Sequence, residues 1–154
     1  MNNIKLENKT SVTYQASNES NGQQHILKTL LKNHLISILP EKGHSLHQVA
    51  SYHFKDFGKM LRGTTSLAVA SAIELNDDAA INWALSVELM HNASLVHDDV
   101  CDEDSQRRHK PTIFANFGVP LAICFGDWLV AKSFEHAALA ALSLIHISEP
   151  TRRT

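Results

Sequence analysis

Residues 76–102 constrain the fold most. Asn76 or Asp77 can cap a helix. From there Ile81, Ala84, Leu85, Glu88, His91, Leu95 and Asp98 recur at the spacing of one helical face. The spacing predicts a long helix through Asp102. That helix ends in acids, because Asp98, Asp99, Asp102, Glu103 and Asp104 fall within seven residues. A helix C-terminus favours cations, so such an end opposes its own dipole. Asp98 and Asp102 stand four apart and Asp99 and Asp102 three apart, which places their Cβ atoms roughly 5–6 Å from each other. At an effective dielectric of 20 two charges at that separation repel by about 3 kcal/mol. Carboxylate oxygens completed by water and substrate phosphate are the ligands Mg2+ takes. A solvated acidic helix end is the plainer reading, and this run alone leaves both open.

The rest of the chain reads as further helices. Ile26, Leu27, Leu30, Leu31, Ile38 and Leu39 predict a helix over 25–39, ended by Pro40 and Gly43. Ser45 can cap a second helix carrying Leu46, Val49, Ala50 and Phe54, broken at Gly58. A third follows over 62–75, with small residues suited to close packing. Residues 107–112 read as a polar loop, and a last helix spans about 121–141. No strand alternation competes, so the expected class is all-α.

Composition excludes more than it selects. The 154 residues carry 14 basic and 16 acidic side chains, a net charge of −2. No basic excess favours nucleic acid or an anionic membrane surface. No run reaches the roughly 18 apolar residues of a membrane span. Cys101 and Cys124 are too few for a disulfide framework, which fits a reducing, cytoplasmic setting. Residues 1–24 are polar and are expected to be a disordered tail. Residues 142–152 read LSLIHISEPTR, which resembles the translation of a transposase adapter used in sequencing libraries. Residues 142–154 are therefore expected to be a non-native tail.

Cations stand beside the acids. Arg107, Arg108 and Lys110 follow at once, and arginine forks match phosphate oxygens. They can equally pair with Asp102 to Asp104. Lys59 and Arg62 stand three apart at a helix start, where both can reach one anion. An ordinary solvated pair is the alternative. His91 lies two turns before Asp98, where a core histidine is the commoner finding.

Together these segments resemble the trans-isoprenyl diphosphate synthase, or polyprenyl synthetase, family. Gly58–Arg62 reads GKxxR, Glu88–His91 ExxH, Leu95–Asp102 LxHDDxxD, Arg107–Thr112 RRxKPT, and Gly126–Asp127 GD, in order and at family spacing. The resemblance covers about residues 25–141, and implies the front portion of the isoprenoid synthase helical bundle. It implies a head-to-tail prenyltransferase of isoprenoid biosynthesis, joining isopentenyl diphosphate to an allylic prenyl diphosphate with Mg2+. Asp98, Asp99 and Asp102 would hold the metal, and Arg107 would grip the allylic diphosphate. Lys59, Arg62, His91 and Arg108 would bind isopentenyl diphosphate. The family commonly forms homodimers. Two positions depart from the pattern: Phe57 and His109 stand where glycines are common. A second aspartate-rich motif is missing from these 154 residues, so this polypeptide is expected to be inactive.

Product length in this family is limited by side chains beneath the first aspartate motif. Ala93 and Ser94 are small, with Met90 and Val87 one and two turns deeper, which implies a C20 or longer product. A non-catalytic subunit of a heteromeric synthase is a competing reading, opposed by the intact acidic and arginine positions. A class I terpene cyclase is another, opposed by Lys59, Arg62 and His91.

Overall fold

The computed structural model describes residues 20–148. Its helices are α1 (Ser20–Ser37), α2 (His47–His53), α3 (Leu61–Ala72), α4 (Asp77–Cys101), α5 (Ile113–Phe117) and α6 (Val119–Ser148). Two two-residue strands, β1 (Gln106–Arg107) and β2 (Lys110–Pro111), pair antiparallel between α4 and α5. The all-α expectation holds, and among the described residues the one addition is this miniature hairpin, which overlaps the predicted polar loop.

The long helix forms as its sequence predicts. Asn76 is the N-cap, and its side chain accepts the N–H of Ala79. Asp77 and Asp78 occupy the first turn, where acids complement the dipole. The helix stops by backbone geometry. Glu103 takes a left-handed conformation, φ 54°, and the N–H of Asp104 bonds the carbonyl of Asp99 at 3.0 Å, the bond that closes a Schellman motif.

Helices α4 and α6 make the most extensive contact in the fold. They run antiparallel: Asn82 meets His136, Ser86 meets Ser133, and His97 meets Gly126. Phe125, Leu129, Ala122, Leu89, Ala93 and Val96 are essentially buried, and each large side chain so buried contributes about 1.5–3 kcal/mol. His97 lies where a Cβ on residue 126 would be, so the helices can approach here because Gly126 has no side chain. Burial lowers the pKa of His136, and its neutral ring donates from Nδ1 to Asn82 at 2.7 Å.

Several boundaries differ from the sequence expectation. Helix α1 reaches back to Ser20, so residues 20–24 are helical and not part of a disordered tail; their polar side chains carry no apolar periodicity to mark the helix, and residues 1–19 lie outside the described residues. Ser45 does not cap α2. Leu46 is the N-cap residue, and its N–H is met by His44 Nδ1 at 3.1 Å. On α4 the interior residue is Asp99, not Asp98, which is exposed. Helix α4 packs against both α3 and α6, so its buried stripe is broader than one face.

Helix α6 runs on through 141 to Ser148, since nothing before Pro150 breaks it. Residues 149–154 lie outside the described residues. By length and composition its stretch Val119–Ile145 is long and apolar enough to cross a membrane. Counting uninterrupted apolar residues missed this, because Asp127, Lys132 and Glu135 divide the run.

Candidate active site

An open cavity of about 590 Å³ lies between α2, the start of α3, the second half of α4 and the β1–β2 hairpin. Lys59, Arg62, Arg107, Arg108 and Lys110 all line it, opposed by Asp56, Glu88 and Asp99. Residues predicted from four separate motifs are thus brought to one cavity.

Local backbone geometry places the cations. Gly58 has φ +60°, and a Cβ there would run into the Arg108 guanidinium. The one glycine present of the expected pair therefore serves two ends: a left-handed turn and room for Arg108. The Gly58 N–H donates to Asp56 Oδ1 at 3.0 Å, which pulls the Asp56 carboxyl below its usual range. Met60 follows with φ 51°, and α3 begins. Phe57 fills the other glycine position as part of the wall, with Lys32 Nζ 5.0 Å from its ring centre.

The hairpin delivers Arg107 and Arg108. Gln106 pairs with Pro111 and Arg107 with Lys110, leaving Arg108 and His109 as a two-residue turn. Both have positive φ, 52° and 63°, as a type I′ hairpin requires. His109, where a glycine was expected, adopts the left-handed conformation at the cost of strain. Tyr52 Oη donates to the Pro111 carbonyl at 2.8 Å and ties the hairpin to α2.

Between α3 and α4, Arg62 Nη1 donates to His91 Nε2 at 2.9 Å. Arginine always donates, so His91 accepts there and is neutral. Burial, then the Arg62 charge, lowers its pKa. Arg107 donates from Nε to Asp99 Oδ1 at 2.7 Å, with Nη2 2.6 Å from the same oxygen. That bond raises the Arg107 pKa. The Asp99 side chain is 8% exposed and that of Arg107 38%, so the carboxylate is withdrawn from water while the guanidinium is partly solvated.

The acidic motif divides. Asp99 faces the cavity and Arg107, while Asp98 and Asp102 are exposed and do not line it. Among the described residues no three His, Cys, Asp or Glu side chains are grouped to hold a metal ion. The donor chemistry nevertheless fits Mg2+: Asp98 and Asp102 offer hard carboxylate oxygens one turn apart, to be completed by other oxygens.

The four residues expected from the sequence to set product length lie off the cavity. From α4 it is lined by Glu88, His91, Asn92, Leu95 and Asp99. Ala93 is buried, Val87 half-buried, and Met90 and Ser94 exposed on a neighbouring face.

Sequence reasoning passed over His53 and Asn92. His53 donates to Asn92 Oδ1 at 2.8 Å, and Asn92 Nδ2 donates to the Glu88 carbonyl at 2.7 Å. Burial lowers the His53 pKa. The available signal was Asn92 standing four residues after Glu88 on a face already predicted to turn inward.

The sequence model of one family, polyprenyl synthetase, matches residues 44–151. The chain belongs to the polyprenyl synthetase family. It is 42% identical over 90 residues to the geranylgeranyl pyrophosphate synthase of Geoglobus acetivorans, covering 58% of this chain and 28% of that protein. It is 35% identical over 123 residues to the (2E,6E)-farnesyl diphosphate synthase of Mycobacterium tuberculosis H37Rv, covering 70% of this chain and 34% of that one. A solved geranyltranstransferase from Thermotoga maritima superposes with a TM-score of 0.72 at 27% identity, over 79% of this chain and 47% of that structure. This family member therefore spans about a third or less of the length of the Geoglobus and Mycobacterium synthases.

Proposed function

We propose that the chain is the front portion of a prenyltransferase that joins isopentenyl diphosphate to an allylic prenyl diphosphate. The observation that carries this reading is the convergence of Lys59, Arg62, Arg107, Arg108 and Lys110 on one cavity beside Asp99. Five cations facing three carboxylates, Asp56, Glu88 and Asp99, suit a ligand with several negative charges. The names of the related geranylgeranyl and farnesyl synthases support the same reaction.

In this reading isopentenyl diphosphate rests on Lys59, Arg62, His91 and Arg108. Lys59 and Arg62 supply charge, and His91 holds the Arg62 guanidinium from behind. The allylic diphosphate rests near Arg107 and the aspartates. Asp98 and Asp102 are the metal ligands. Asp99 orients Arg107, an assignment narrower than three equivalent aspartates. Bound Mg2+ would neutralise charge developing on the departing diphosphate. Arg107 adds a fixed donor at the same place. The allylic C–O bond breaks to release diphosphate, the isopentenyl double bond attacks the cation, and the proton then lost passes to that diphosphate.

In this reading the product is C20 or longer, on the small size of Ala93 and Ser94, with Met90 and Val87 one and two turns back along α4. In the same reading residues 25–141 are the family domain, 142–154 an adapter-derived tail, the whole enzyme a homodimer, and its place the cytoplasm. Exposed thiols at Cys101 and Cys124 accord with a reducing compartment.

The test is incubation of the complete gene product with labelled isopentenyl diphosphate, C5, C10 and C15 allylic primers, and Mg2+. Labelled linear diphosphates of C20 or longer are expected, and the 154-residue chain alone is expected to give none. Absence of incorporation, or a cyclic hydrocarbon, would contradict the proposal.

A further inference from the structure

Glu88 is a buried carboxylate of the cavity wall that the proposed chemistry leaves unused. It is only 4% exposed, yet it lines the cavity. Its Oε2 accepts the N–H of Gly63 at 2.9 Å. Gly63 is the third residue of α3, and the first N–H groups of a helix have no partner inside it. The N-cap residue is Met60, and α3 has no side-chain cap of its own. A carboxylate from α4 therefore does the capping from 25 residues away. The fit is close, because a Cβ on residue 63 would press on Leu31 and lie 3.3 Å from Glu88 Oε2.

The neighbouring residue is Arg62, and its partner His91 lies one turn beyond Glu88. Two adjacent rungs, 63 to 88 and 62 to 91, thus fasten the start of α3 to α4. A carboxylate on the wall of an anion site repels the anion. Its presence there needs another reason, and the Gly63 bond at a helix N-terminus supplies one.

We propose that Glu88 is a positioning residue: by holding the Gly63 N–H it fixes the first turn of α3 and aims Arg62 into the cavity. The proposal rests on the reading of that cavity as a diphosphate site. It requires the acceptor oxygen of Glu88 and not its charge. Glu88→Gln keeps an acceptor and removes the charge, whereas Glu88→Ala removes both.

The test is calorimetric titration of the 154-residue chain with inorganic pyrophosphate, without metal, beside thermal melts of the free proteins. Glu88→Gln is expected to bind as tightly as the unsubstituted chain or more tightly. Glu88→Ala is expected to bind about tenfold more weakly. Combined with Arg62→Ala, it should cost no more than Arg62→Ala alone, because it acts through that side chain. Where Glu88→Ala melts below the assay temperature, Glu88→Asp takes its place. It withdraws the carboxylate by one methylene and is expected to lose affinity severalfold. Unchanged binding by folded Glu88→Ala or Glu88→Asp overturns the inference alone. So does a loss in Glu88→Gln equal to that in Glu88→Ala, or an additive double variant. An unsubstituted chain that binds no pyrophosphate overturns the reading of the cavity itself, and this inference with it.

Discussion

The cationic wall of the cavity and the acidic end of α4 beside it are built differently. On the cationic wall, Arg62 rests on His91 and Arg108 lies against Gly58. The α3 start behind them is capped by Glu88. At the acidic end of α4, Asp99 is held by Arg107 while Asp98 and Asp102 stand in solvent. The cationic wall is organised by the protein's own hydrogen bonds. The exposed carboxylates one turn apart repel each other, and a cation between them removes that repulsion. Diphosphate binding at the cationic wall should therefore be independent of metal, and binding at the acidic end should depend on it.

The largest effect should come from removing support common to both. The Phe125 ring is fully buried, meets His53 and stacks on Trp128. Phe125→Ala should lower unfolding stability by about 3–5 kcal/mol in denaturant titrations. Gly58→Ala acts on the cationic wall alone. Left-handed strain costs about 1–2 kcal/mol, and displacement of Arg108 should weaken pyrophosphate binding with little change in Mg2+ binding. At the acidic end, Asp98→Asn or Asp102→Asn should weaken Mg2+ binding more than Asp99→Asn does. Asp99→Asn should instead cost about 1 kcal/mol of stability, a figure kept small because Arg107 is partly exposed. Equal Mg2+ losses for all three would erase the distinction between the two regions.

Protonation bears on the cationic wall and its support. Burial lowers the pKa of His53, His91 and His136 below 6.5. The unfolded chain then binds more protons than the folded one as pH falls past 6.5, so stability is complete above that value and declines below it. Melts from pH 7.5 to 5 should show the decline, and His53→Asn should flatten it. The smallest effect is local. His109→Gly should raise stability by roughly 0.5 kcal/mol, since it relieves left-handed strain in the turn.

Much of this was legible in the sequence, for physical reasons. The α4 cap at Asn76, the inward Glu88 and the helical class all follow from periodicity and capping. The gathering of Lys59, Arg62, His91 and Arg108 followed from the family resemblance of their motifs. The hairpin was hidden, because Arg108 and His109 are not residues that announce a type I′ turn. The split within the aspartates was hidden too. Spacing treats Asp98 and Asp99 alike, and only the packing of α4 between α3 and α6 decides which turns inward. Glu88 read as part of an inner stripe, but its partner Gly63 lies on another helix and leaves no local signal.

The most direct test of this two-region account is titration of isopentenyl diphosphate into the chain with and without Mg2+. The account predicts one site per chain, equal affinity in both conditions, and its loss in a Lys59→Ala, Arg62→Ala double variant. Binding that appears only with Mg2+, or that survives the double variant, would contradict it.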